Sequence, residues 1–456
     1  MAAAAAPPLS QSQSLSTRKT EISPLPSFSP DLYERAWCSI PHPTLPLLAT
    51  AHAKSVTIFS LSTLTKHSSL SGGHSRSIRS LSWKPNLEAD GMCLATGSFD
   101  STAGLWRWED GDEDETSLER EVIRSGADAG TGGSDDNGSK EWEFTLVLEG
   151  HDSEIKSVQF SPSGVYLATC SRDKTLWIWE DIGASEGDDE WETVAVLNEH
   201  EGDIKAVSWC PDVPGRNTRR TYASDVLASA SYDNTVRIWR EDGDGEWVCV
   251  SVLEGHTETV WGMQWEARPR DGDRFPRLLT FSADRTVRIW ELQEEDDASE
   301  GSKNIGSSAG GFGGALGSIP NTMRRALRET WNCVAILPQA HTREIYAASW
   351  SALSGRVATT GSDSHVVVYE EEATTAFAAA ACEGAAEVDV ESPGPGSWKV
   401  VTSYKQAHGA YEINHITWCR RFDNDANAQE GVQEMLVTTG DDGVVRPWAV
   451  SSSTLI

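Results

Sequence analysis

The feature that most constrains this chain is a short unit that recurs along it: an apolar run, a tight turn containing Asp, and a second run ending in an aromatic. Its clearest copy is Cys170-Ser171-Arg172-Asp173-Lys174-Thr175-Leu176-Trp177-Ile178-Trp179. An Asp followed six residues later by Trp or Tyr occurs at Asp100/Trp106, Asp173/Trp179, Asp233/Trp239, Asp284/Trp290, Asp363/Tyr369 and Asp442/Trp448. Four residues before each Asp stands a hydroxyl: Thr96, Thr169, Ser229, Thr280, Thr359 and Thr438. Upstream of each lies a histidine: His74, His151, His200, His256, His341 and His408. A unit this small cannot bury its own apolar face, so copies must stack on one another to make a core.

The Gly-His to Trp arrangement resembles the WD repeat, in which each repeat of about 40–45 residues supplies a four-stranded blade. Innermost strands are expected at Ile78–Trp83, Ile155–Phe160, Ile204–Trp209, Val260–Trp265, Ile345–Trp350 and Ile413–Trp418. A further blade reads as Trp37–Ile40, Leu47–Ala51 and Ser55–Ser60, without the His, hydroxyl and Asp set. The chain stops soon after Trp448, one strand short of completing the last blade. The segment before Trp37, which includes a strand near Arg18–Pro24, is expected to supply it and so remove the open sheet edges. The predicted fold is all-β: a seven-bladed WD40 β-propeller closed by an N-terminal strand. It forms a single domain over 18–456, preceded by a disordered tail at 1–17. Acidic, Gly/Ser-rich insertions near 109–140, 181–190, 292–328 and 371–397 are expected to be disordered.

Composition removes several function classes. A formal net charge of −31 argues against a nucleic-acid partner, whose phosphates need a basic face. No run of about 18 apolar residues is present, so no membrane span is expected. Residues 1–16 lack the apolar centre of a secretory signal. The eight cysteines stand singly, with no metal-binding spacing, which suits a reducing cytoplasm or nucleus and a protein without a cofactor. Cys249 and Cys333 occupy matching outer-strand positions and read as small buried apolar residues.

Ser/Thr, His and Asp together suggest a hydrolase triad, but here a Trp or Tyr completes the set in every copy. The structural account is a closed chain of hydrogen bonds from indole to hydroxyl to imidazole to carboxylate to turn amide. Asp110, Asp112, Asp114 and Glu121 match calcium-loop positions, but Glu115 stands where Gly is required. The glycines of Gly310–Gly317 lack the Lys-Ser/Thr of a phosphate loop. His415 and Cys419, four apart, read as strand residues rather than metal ligands. No catalytic constellation emerges.

The insertions all separate a first strand from a second or a third from a fourth, connections that share one face of a propeller. The opposite face, built from the loop after each His and the turn at each Asp, is compact. Residues before the turn Asp should stand up from it: Phe99, Arg172, Tyr232, Ala283, Ser362 and Asp441. Residues after the first apolar position of each inner strand should ring the channel mouth: Arg79, Lys156, Lys205, Trp261, Tyr346 and Asn414. The partner-binding candidates are therefore Arg172, Phe99, Tyr232, Arg79, Lys156, Lys205, Trp261 and Tyr346, a basic and aromatic group suited to a peptide with carboxylates and an aromatic ring.

Several runs resemble the eukaryotic cytosolic iron–sulfur protein assembly propeller family: Gly97-Ser98-Phe99-Asp100-Ser101-Thr102, Thr169-Cys170-Ser171-Arg172-Asp173-Lys174, Ser231-Tyr232-Asp233-Asn234-Thr235-Val236-Arg237-Ile238-Trp239 and Tyr411-Glu412-Ile413-Asn414. The resemblance covers roughly 30–450 outside the insertions. It implies a non-enzymatic scaffold of the iron–sulfur targeting complex. The implied partners are a small assembly protein, a HEAT-repeat adaptor, an iron-only-hydrogenase-like cluster carrier and apo-proteins awaiting clusters. It also places the family's surface arginine at Arg172. The competing reading is a generic WD40 adaptor such as a ubiquitin-ligase substrate receptor. Three departures stand out: the long insertions, Glu199 in place of a repeat Gly, and Pro447 inside the last strand, where it cannot donate to a ladder.

Overall fold

The computed structural model describes residues 18–87, 91–109, 141–184, 188–213, 222–242, 245–269, 274–293, 328–372, 397–422 and 433–454. The expected tail 1–17, most of the expected insertions, the Asp110 to Glu121 set and Gly310–Gly317 lie outside them. Within 181–190 the described ends are held: Ile182 donates its N–H to the Glu190 carbonyl at 2.8 Å, and Arg107 clamps Asp189.

The strands form seven four-stranded antiparallel sheets. Six sheets take their strands in chain order, and the seventh is completed by Arg18–Pro24 paired with Val445–Thr454, from Arg18 opposite Thr454 to Pro24 opposite Trp448. The innermost strands are Ala36–Pro41, Ile78–Trp83, Ile155–Phe160, Ile204–Trp209, Val260–Trp265, Ile345–Trp350 and Ile413–Arg420. The seven-bladed propeller closed by its N-terminal strand is thus borne out.

Both faces of each blade are buried because successive side chains alternate across a strand. Leu167 of the third blade packs with Leu105 and Ala95 of the second, whereas its neighbour Ala168 packs with Ile204 and Trp209 of the fourth. The innermost strands are sealed to one another by side chains. Ser80 and Ser82 accept the N–H groups of Val158 and Phe160 (3.1 and 2.9 Å), Gln159 that of Trp209 (2.6 Å), and Gln264 that of Trp350 (2.7 Å). These otherwise unpaired amides would cost desolvation energy in the interior.

The sequence departures have local explanations. Leu25 donates its N–H to the Pro447 carbonyl at 2.9 Å. A strand residue's N–H and C=O point the same way, so Pro447's missing donor faces the N-terminal segment, and pairing with Val437 continues unbroken. The carboxylate of Glu199, which stands where the repeat has Gly, meets Arg237 at 2.9 Å. Cys249 and Cys333 sit opposite Trp239 and Trp290, so their positions match. They are nevertheless not buried: Cys249 is half-buried and Cys333 exposed, because the outer strand turns one face to solvent.

Every internal stretch outside the described residues belongs to a first-to-second or third-to-fourth connection. The opposite face is described without a break.

Candidate partner-binding face

Six turns on this face are held by the predicted tetrads. In the third blade the Trp179 indole N–H donates to Thr169 Oγ1 (3.0 Å), and Thr169 meets His151 Nε2 (2.9 Å). His151 Nδ1 meets Asp173 (2.8 Å), and Asp173 accepts the N–H groups of Asp152 (3.0 Å) and Thr175 (2.8 Å). With the His151 ring proton on Nδ1, every group in this chain of contacts has a partner. The same chain of contacts joins His74, Thr96, Asp100 and Trp106; His200, Ser229, Asp233 and Trp239; and His256, Thr280, Asp284 and Trp290. The residue after each Asp takes a positive φ, as at Lys174 and Asn234, giving the turn its tight reversal. The first blade differs: its hairpin is one residue shorter. By register Thr50 holds the hydroxyl place, facing Thr57 as Thr169 faces Trp177, but it bonds Ser39 at 2.8 Å rather than a histidine. Counting back from Phe59 along the sequence misses Thr50 for that reason.

The carboxylates carry the strain of burial and are more than compensated. Burial pushes Asp173 up, but hydrogen bonds from His151 and Thr175 outweigh it and bring its pKa to about 2. Asp233 is lowered in the same way, by His200 and Thr235. A carboxyl depressed on folding contributes stability that is complete above its unfolded pKa and is lost as pH falls toward the folded one. Stability is therefore expected to fall between about pH 4 and pH 2. Replacing Asp233 with Ala leaves a buried imidazole and two turn amides unpaired, and is expected to cost about 1–3 kcal/mol by urea denaturation at neutral pH. An unchanged midpoint would exclude the structural role.

The channel mouth is ringed by one residue from each innermost strand, and each of the seven is the extra residue of a β-bulge. Pairing skips from Ala36 to Cys38, Ile78 to Ser80, Ile155 to Ser157, Ile204 to Ala206, Val260 to Gly262, Ile345 to Ala347 and Ile413 to His415. A bulge re-aims the unpaired residue. The ring is Trp37, Arg79, Lys156, Lys205, Trp261, Tyr346 and Asn414. Sequence reading missed Trp37, since the first blade lacks the repeat's other marks, although Ala36-Trp37 stands in the same register.

Around the ring the contacts are nearly continuous. The Arg79 guanidinium lies 4.9 Å from the centre of Trp37, which meets Phe99 edge-on at 5.7 Å. Lys156 lies 4.6 Å over Phe99. Lys205 lies 5.4 Å from Tyr232 and 5.5 Å from Trp261. Trp261 packs edge-on against Tyr346 at 5.2 Å and donates its N–H to Glu344 at 3.1 Å. Burial, with the charges of Glu412 and Glu344, pushes the Tyr346 phenol up. Asn414 donates to Asp441 (2.8 Å) and to the Ala36 carbonyl (3.0 Å).

The face is less basic than the sequence implied. Lys156 is paired with Glu154 at 2.7 Å and Lys205 with Asp203 at 3.2 Å. Arg172 remains 60% exposed, with Nε 4.0 Å from Asp203, and Tyr232 is 61% exposed beside it. Phe99 is half-buried.

Comparison with known proteins bears on the repeat that builds these turns. The model of the family described as WD domain, G-beta repeat matches residues 47–107, 142–180, 191–240, 247–291 and 331–370. A "Probable cytosolic iron-sulfur protein assembly protein 1" from Pyricularia oryzae is 60% identical over 442 residues, covering 95% of this chain and 97% of that protein. Its namesake from Neurospora crassa is 55% identical over 460 residues, covering 95% and 97%. That from Emericella nidulans is 40% identical over 464 residues, covering 94% and 96%. The chain belongs to the cytosolic iron–sulfur protein assembly family of WD-repeat propellers.

In this member of the iron–sulfur assembly family the buried Cys38 and Cys93 thiols are poor metal ligands. Burial pushes Cys38 up to about 11 and Cys93 up to about 12, although nearby cations oppose it. His415 is turned to another use: its Nδ1 accepts the Ser39 N–H at 3.4 Å, and burial brings its pKa down to about 4. Cys419 is buried between the last and first blades. Among the described residues no three His, Cys, Asp or Glu side chains converge on one point. The purified protein is expected to carry no stoichiometric iron or zinc. A cluster absorbance band that survives gel filtration would contradict this.

Proposed function

We propose that this chain is a non-enzymatic scaffold of the cytosolic iron–sulfur protein assembly machinery, acting through protein–protein contacts on its undecorated face. Near-complete alignment with relatives bearing the assembly-protein name is the observation that carries the reading. The chemistry supports it: each tetrad hydroxyl is committed to an indole or phenol and an imidazole, so none is poised as a nucleophile. The proposed partners are the other subunits of the targeting complex, a cluster carrier, and apo-proteins of the cytosol and nucleus. Arg172, Phe99, Tyr232, Arg79, Lys156, Lys205, Trp261 and Tyr346 form the proposed contact surface. The reading as a ubiquitin-ligase substrate receptor is not favoured by the relatives. Depleting the protein should lower cytosolic iron–sulfur enzyme activity and leave the mitochondrial enzymes untouched. Loss of both, or of neither, would reject the proposal.

A further inference from the structure

Among the seven bulge residues, three are cations, and two of these have counter-ions on their own strand approach: Lys156 has Glu154 and Lys205 has Asp203. The neighbouring Arg35, also 4.9 Å from Trp37, has Asp441 at 2.6 Å. Arg79 has none. It makes no hydrogen bond or ion pair among the described residues; its contact is the face of Trp37. Its near neighbours are neutral or positive. Burial holds the Cys38 thiol protonated, His415 is kept neutral by burial and by Arg79, and Lys156 and Arg35 add like charge. None of its nitrogens is sealed from the channel as those of several other arginines are, so its donors remain open to whatever enters the mouth. A half-buried guanidinium whose five donors meet no acceptor among the described residues is able to take an anion. Its planar fork matches two parallel carboxylate oxygens, and the stacked Trp37 ring holds the fork in place.

We propose that Arg79 is the floor of the recognition face, where it takes a single carboxylate presented by a partner segment that enters the channel mouth between Trp37 and Lys156. This rests on the undecorated face being the partner surface, and it separates two roles: Arg172 gathers the partner at the rim, and Arg79 reads one acidic group within. The shared chemistry is a carboxylate, which a free small acid could also supply.

The test has two arms. The first follows the arginine side-chain Nε–H signal that disappears in Arg79→Gln while sodium acetate, chloride or phosphate is added at equal ionic strength. A saturable shift with acetate and no comparable one with chloride or phosphate is expected. Equal shifts for all three, or none, overturn the carboxylate site. The second arm measures, by fluorescence anisotropy, amidated hexapeptides carrying one Asp beside an aromatic residue, and their Asn counterparts. The Asp peptide should bind the wild-type protein roughly 10-fold more tightly, with the advantage lost in Arg79→Gln and kept in Arg172→Gln. If Arg79→Gln keeps the advantage, or the Asp peptide binds no better than the Asn one while acetate still shifts the signal, the anion is a free solute and the partner assignment is wrong. A melting curve for Arg79→Gln matching the wild type separates these outcomes from misfolding. If instead Arg172→Glu leaves every protein partner bound, the rim reading falls while the Arg79 result stands.

Discussion

Deleting residues 1–30 is expected to destabilise the protein severely, whereas deleting 1–16 should leave its melting curve in place. The longer deletion removes the strand Arg18–Pro24, whose register with Val445–Thr454 completes the seventh blade. It also removes Ile22, which packs with Leu436 and Trp448 between the sixth and seventh blades. Phe28, 1% exposed, goes as well, from its contact with Phe59 at 5.3 Å in the joint between the last and first blades. Truncating one large buried aromatic costs about 3–5 kcal/mol. Losing it together with a whole edge strand uncovers the ladder groups of Val445–Thr454 and opens the ring. Thermal denaturation of both deletions against the full chain decides the matter. Coincident melting of the two would show that the N-terminal strand does not close the propeller.

Arg172→Glu is expected to abolish partner binding without unfolding the protein. The Arg172 backbone N–H donates to the Glu154 carbonyl at 3.0 Å, a bond that Glu or Ala makes equally well, so the turn survives substitution. The side chain is exposed, and its long contact with Asp203 contributes little stability. A charged hydrogen bond is worth about 1.5–3 kcal/mol, so Arg172→Ala should weaken an acidic partner roughly 10- to 100-fold. Glu adds repulsion and should do worse; Lys should recover part, since it cannot offer two parallel donors. Affinities for each targeting-complex subunit, measured beside a melting curve, test this. Retained affinity throughout, or a collapsed melting curve, rules out a specific recognition role.

Much of the fold was legible because the repeat writes the same physical requirement into each blade. A turn Asp, a hydroxyl, a histidine and an aromatic at fixed offsets can satisfy one another only in one hairpin geometry, so their spacing located strands, turns and blade count. Alternation then identified which residues lie between blades. Reading outward from those markers also placed Arg172 and Tyr232 on the exposed turn, where the structure puts them. The reading failed where the markers were missing: the shorter hairpin of the first blade hid Thr50 and, with it, the ring position of Trp37.

Local spacing in the chain therefore determined the architecture, the closure and which turns face solvent, since each follows from hydrogen bonds made within a blade. What only the tertiary structure decided is the character of the channel mouth. Repeat register placed Arg79 at the mouth, but a β-bulge belongs to the pairing of two strands, and nothing in Ile78-Arg79-Ser80 alone says that Arg79 will be skipped in it. Charge compensation likewise depends on which carboxylates arrive beside which cations. Glu154 and Asp203 neutralise Lys156 and Lys205, while Arg79 has no acidic partner among the described residues, so a cluster that reads as basic and aromatic in sequence becomes a paired rim around one open guanidinium.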